Sequence, residues 1–123
     1  MKAVVVGFGS SGARHARILK DLGLKVAVVS RRAVSADQVY PTIPEAMTSA
    51  KPDYVVIASR TNEHRSDFAT LAETGFQGKV LIEKPLFEEV AAAPDHQFSG
   101  VHVAYNLRFH PVIEQLRSIL LAT

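Results

Sequence analysis

The sequence predicts an α/β protein: a doubly wound parallel sheet in three layers, α/β/α. Three observations carry this reading. β-Branched runs with little polar alternation recur along the chain, segments of helical periodicity separate them, and the first strand-to-helix junction is a glycine-rich turn. A strand without alternation is buried on both faces, and a parallel neighbour needs a crossover segment to bring the chain back to its starting edge.

Ala3 to Val6 reads as the first buried strand, and the residues from Ser11 to Leu22 carry an apolar stripe at helical spacing. Lys25 to Ser30 (KVAVVS) is the second strand. Thr42-Ile43-Pro44-Glu45 fits a capping box, in which a hydroxyl and a carboxylate three residues on satisfy free N–H groups, so a short helix follows to about Ala50. Asp53 to Ser59 (DYVVIAS) is the third strand. The next helix runs from near Asn62 to Glu73 and ends at Gly75, with His64, Phe68, Leu71 and Ala72 on one face and Arg65, Asp67 and Glu73 on the polar one.

Lys79 to Ile82 (KVLI) is the fourth strand. Between Pro85 and Gly100 the crossover is Ala-rich and broken by Pro94, which leaves room for about two helical turns. A fifth strand, Val101 to Tyr105, leads into a final helix over about 109–122, where Phe109, Val112, Ile113, Leu116, Ile119 and Leu120 make a sustained apolar face. With right-handed crossovers this order is a Rossmann-type sheet, and 123 residues suit one domain of this kind.

Composition narrows the function. The net charge is +2, but Lys and Arg are scattered among Asp and Glu, so nucleic acid is not an expected partner. The absence of cysteine excludes disulfides, thiol catalysis and cysteine metal sites. None of the five histidines pairs at metal-ligand spacing, so no metal site is expected. The apolar run after Lys2 is too short for a signal peptide and nothing approaches membrane-spanning length, which suggests a cytoplasmic protein without a membrane partner.

The chemistry concentrates at GFGSSG, Gly7-x-Gly9-x-x-Gly12. After a strand and before a helix, the first glycine permits a tight turn, the second lets a pyrophosphate approach the backbone, and the third lets helix and strand pack closely. The free N–H groups of the helix start then bind phosphate oxygens. Ser10 and Ser11 could add hydroxyl contacts, and Ser11 serves equally as a helix N-cap. His15 shares a face with Ile18, Leu19 and Leu22, which favours a packed histidine over a catalytic one.

The end of the second strand distinguishes dinucleotides. A site for NAD places an acidic residue there to hold the ribose hydroxyls, whereas here the chain reads Ser30-Arg31-Arg32. A hydroxyl and two guanidinium groups suit a 2′-phosphate, so NADP is favoured over NAD. The alternative is a solvated loop whose arginines stack on the adenine of either cofactor.

Three further stretches, ASRTNEHRSDFATLAETG, LIEKPLF and VAYNLRFHP, join the glycine turn in an order that resembles the N-terminal domain of the Gfo/Idh/MocA oxidoreductase family. Glu83-Lys84-Pro85 is the most specific of these motifs. The resemblance implies that Lys84 is the catalytic residue, reaching the nicotinamide end and a substrate hydroxyl, and that Glu83 helps to position it. A lysine suits an alcohol oxidation that needs a proton removed from oxygen; the alternative is a solvated lysine held extended by Pro85. The resemblance further implies that Thr61 and Asn62 lie over the cofactor, where helix capping explains them equally well, and that Asn106 and Arg108 sit near a crevice between domains, Asn106 being the better site candidate.

The expectation is therefore an NADP-binding domain of an oxidoreductase acting on a sugar, cyclitol or related hydroxyl compound. In the family a second domain carries most substrate contacts, and this chain stops where that domain would begin, which suggests a polypeptide cut at the boundary. The apolar last helix would also suit a homodimer. The competing readings are a non-catalytic module that senses NAD(P) or self-associates, and a nucleoside or coenzyme A binding domain without redox chemistry.

Overall fold

In a computed structural model of the chain, residues 1–32, 34, 36, 38–83 and 96–104 are described. The elements are β1 (Lys2–Val6), α1 (Ser10–Asp21), β2 (Lys25–Val29), β3 (Val39–Tyr40), α2 (Ile43–Ala50), β4 (Tyr54–Ile57), α3 (Thr61–Glu73), β5 (Lys79–Glu83) and β6 (Gly100–Ala104). The six strands form one sheet in the order β3-β2-β1-β4-β5-β6, and every neighbouring pair is parallel. This is the doubly wound order, with its switch point between β1 and β4, where strand order reverses and a crevice opens at the carboxyl ends.

The central strands explain themselves by burial. Val4, Val5, Val55, Val56 and Ile57 are fully buried, because helices cover both sides of the sheet. On one face Val4, Val6, Val55 and Ile57 pack with Ile43 and Ala46 of α2 and Phe68 and Leu71 of α3. On the other, Ala3, Val5, Val56 and Leu81 pack with Ala16 and Leu19 of α1. Alternate residues of one strand thus feed two cores, which is why the runs show no polar alternation.

Helix boundaries follow local chemistry. The Thr42 hydroxyl accepts a hydrogen bond from the Glu45 N–H at 3.3 Å, with Pro44 in the first turn of α2. Helix α1 closes with a Schellman pair, Gly23 N–H to Lys20 O at 2.9 Å and Leu24 N–H to Leu19 O at 3.1 Å. α3 closes at Gly75, whose N–H donates to Ala72 O.

Two expectations need correction. The sheet contains a strand that periodicity did not show, β3, a two-residue edge paired with Val28 and Val29 of β2. The N-cap of α1 is Gly9 rather than Ser11, and the helix begins at Ser10, because the extended conformation of Gly9 already ends the turn. The expected crossover helix before Gly100, the last helix over 109–122, and with them Lys84, Asn106 and Arg108, lie outside the described residues.

Candidate functional site

The switch point opens as a crevice of about 770 Å³. Its floor is the β1–α1 turn and its walls are the end of β2, the start of α2, the β4–α3 turn with one face of α3, and the end of β5. Gly7, Gly9, Ser10 and Ser11 line it together with Ser30, Arg31 and Arg32 from the next strand, and Glu83 closes the far side. The structure therefore brings most of the sequence-predicted site residues to one cavity.

The three glycines do different work. Gly7 has φ +94°, and a Cβ there would lie 2.8 Å from both the Cα and N of Ser59. A Cβ on Gly12 would be driven into the carbonyl of Gly7. Both are required by the protein's own packing. Gly9 is not: its φ of −76° suits any residue, and a Cβ would meet nothing within 4 Å. Gly9 lines the crevice, and a Cβ there would stand in open space.

Helix α1 also has no side-chain cap, so its first N–H groups point from an uncapped terminus at the crevice floor. The bare backbone at Gly9 and the uncapped terminus together fit a pyrophosphate, and the residues present match the expected group.

At the end of β2 the Ser30 hydroxyl accepts a hydrogen bond from the Arg32 N–H at 3.2 Å. This local turn holds the loop so that both arginines, exposed to solvent, flank the crevice. Across from them α3 presents Glu63, Ser66, Asp67 and Thr70. The Ser59 hydroxyl donates to Asp67 Oδ2, and the His64 Nε2–H donates to the Ser59 carbonyl at 2.7 Å, fixing the turn that packs on Gly7. Burial pushes the Asp67 carboxyl above the usual carboxylate range and Glu63 adds to this, while the Ser59 hydrogen bond, His64 and Arg31 oppose it.

His64 is 1% exposed, holds the β4–α3 turn through Ser59 and also borders the crevice. Arg60, not Thr61 or Asn62, is the N-cap residue of α3 and lines the crevice; Asn62 is exposed and lies outside the lining. The polar stripe of α3 in the crevice was not expected from the sequence, which put Asp67 on the polar face with Arg65 and Glu73 without assigning that face to the site. Its signal was present as polar residues at 63, 66, 67 and 70, a helical spacing.

The His15 side chain is buried, and its Nε2 lies 3.2 Å from Glu83 Oε1. Among the described residues no group of His, Asp or Glu side chains could hold a metal ion, and no helix is long and apolar enough to cross a membrane.

A family model for an oxidoreductase family with an NAD-binding Rossmann fold, Gfo/Idh/MocA, matches residues 1–98. Among solved structures the chain is similar to GenD2 from gentamicin A biosynthesis in complex with NAD, at 31% identity and a TM-score of 0.60, over 71% of this chain and 27% of that one. A probable dehydrogenase from Thermotoga maritima is 26% identical, with a TM-score of 0.59 over 71% and 29% of the two chains. Myo-inositol 2-dehydrogenase from Lactobacillus plantarum, 22% identical with a TM-score of 0.61 over 73% and 30%, shares the fold. The chain spans less than a third of the length of these structures. No curated protein matches it.

Proposed function

The chain belongs to the Gfo/Idh/MocA oxidoreductase family as its NAD-binding Rossmann domain, and from that premise we propose that it binds NADP(H) in preference to NAD(H) and serves hydride transfer to or from a sugar, cyclitol or related hydroxyl compound. The observation that carries the cofactor preference is the pair Arg31 and Arg32 flanking the crevice directly after β2, where the sequence reads Ser30-Arg31-Arg32 in place of the acidic residue of an NAD site. A 2′-phosphate there gains charge-assisted hydrogen bonds, whereas the ribose diol of NAD lacks its usual acidic partner.

In this reading Gly7, Gly9 and Gly12 shape the floor, and the N–H groups at the start of α1 bind the pyrophosphate, with Ser10 and Ser11 beside them. Ser30 holds the arginine loop in register. Glu83 stands at the reacting end, and Lys84 after it orients the substrate hydroxyl and takes or returns its proton. Thr61 and Asn106 complete the contacts on the strength of the family resemblance, and Asn62, outside the crevice lining, is left out of them. The hydride chemistry itself is supplied by the nicotinamide of the bound cofactor. Support for a polyol substrate comes from the names of the neighbours, an inositol dehydrogenase among them; the groups that choose the substrate lie beyond the cofactor domain.

Calorimetric titration of the chain with NADPH and NADH tests the proposal. Saturable binding with NADPH the tighter ligand is expected. Tighter binding of NADH would overturn the preference, and absence of binding by either would overturn the cofactor reading.

A further inference from the structure

Resting on the cofactor reading, we infer that His15 is a positioning residue for the reacting end of the crevice: its Nε2–H holds the Glu83 carboxylate in the orientation that receives the nicotinamide half of a dinucleotide. The sequence pattern alone placed His15 in the apolar core of α1, and the burial agrees, since His15 is 4% exposed beside Ala16 and Leu19. A leucine would satisfy that packing. What a leucine would lack is the hydrogen bond to Glu83 Oε1 at 3.2 Å, between side chains 5% and 13% exposed.

The two partners belong to different parts of the site. His15 lies in the second turn of α1, the helix whose start forms the floor at the glycine turn, and Glu83 ends β5 on the far wall. Glu83 shares the α1-facing side of β5 with Leu81, two residues before it, which packs in the same core as Ala16 and Leu19. The carboxylate thus emerges from that core at the rim of the crevice. An ionised carboxylate accepts only, so Nε2 carries the proton in this pair.

His15 engages Oε1, and among the described residues Oε2 has no protein donor. A nicotinamide half offers two kinds of donor to it, the ribose hydroxyls and the carboxamide N–H₂. A carboxylate fixed on one oxygen by a rigid helix presents the other at little entropic cost, which is the advantage of positioning over mere presence. The same contact ties the phosphate-binding helix to the strand that ends at Glu83, so the two ends of the cofactor site share one support.

The test compares His15→Leu, which fills the volume without a donor, with His15→Gln, which retains an N–H₂ near Nε2. Each variant is titrated with NADPH and with 2′-phospho-ADP-ribose, which lacks the nicotinamide, and the fluorescence of bound NADPH reports on the nicotinamide's surroundings. His15→Leu is expected to lose roughly tenfold in NADPH affinity, the scale of a hydrogen bond to a charged group, with a shifted emission, to bind 2′-phospho-ADP-ribose like the wild type, and to be rescued by Gln. Equal losses for both ligands, an unchanged NADPH affinity, or a Leu variant that no longer melts cooperatively would each assign His15 to structure alone and overturn the inference. Failure of the wild-type chain to bind either ligand would instead overturn the cofactor reading beneath it.

Discussion

Gly7 and Ser59 meet at the switch point: the Gly7 backbone sits so close to Ser59 that a Cβ would lie 2.8 Å from the latter's Cα and N. The β1–α1 and β4–α3 turns are thereby locked side by side, and Ser59 is held in turn by Asp67 and His64. Replacing Gly7 with Ala forces both a positive φ and a clash, so a loss of about 1–3 kcal/mol of stability is expected, read as a lowered thermal midpoint.

Gly9 separates stability from binding. Gly9→Ser puts a favourable N-cap on α1 in a conformation that serine adopts, and its hydroxyl takes a helix N–H otherwise offered to phosphate. The expected outcome is an unchanged or higher melting temperature with at least roughly tenfold weaker dinucleotide binding, a loss of one charge-assisted hydrogen bond or more. Calorimetry and thermal melting of the same preparation check it.

Arg31→Ala is expected to weaken NADPH binding by roughly tenfold or more while changing NADH binding far less, because a charge-assisted bond to the 2′-phosphate is available to one cofactor only. Equal losses for both would show an arginine that stacks on adenine.

Asp67 gives a pH signature. Its carboxyl titrates above the usual range in the folded chain, chiefly through burial, so the folded state holds this proton more tightly than the unfolded one. The resulting stabilisation is full below the unfolded value near 3.8 and is lost as pH rises through the folded value. Asp67→Asn, which keeps an acceptor for Ser59, is therefore expected to be more stable than the wild type at neutral pH, with the gap closing toward acid. Melting curves across pH read the difference.

The sheet was legible in the sequence because its strands are buried twice: Val4 and Val5 face opposite cores, so no polar residue interrupts the run. The caps at Thr42 and Gly75 were legible because their chemistry is local. β3 was not, since two residues between Gln38 and Pro41 carry no period and owe their conformation to pairing with β2. The crevice face of α3 was hidden for a related reason, because its exposure depends on how the helix is rotated over the sheet. The contact of His15 with Glu83 joins residues 68 apart, and no local pattern announces it.

Backbone amide chemical shifts of the chain, followed as NADPH is added, test the central claim most directly. The largest changes are expected at Gly9 to Gly12 and at Ser30 to Arg32, the floor and wall of the switch-point crevice. Shifts confined to other surfaces, with the glycine turn unmoved, would contradict it.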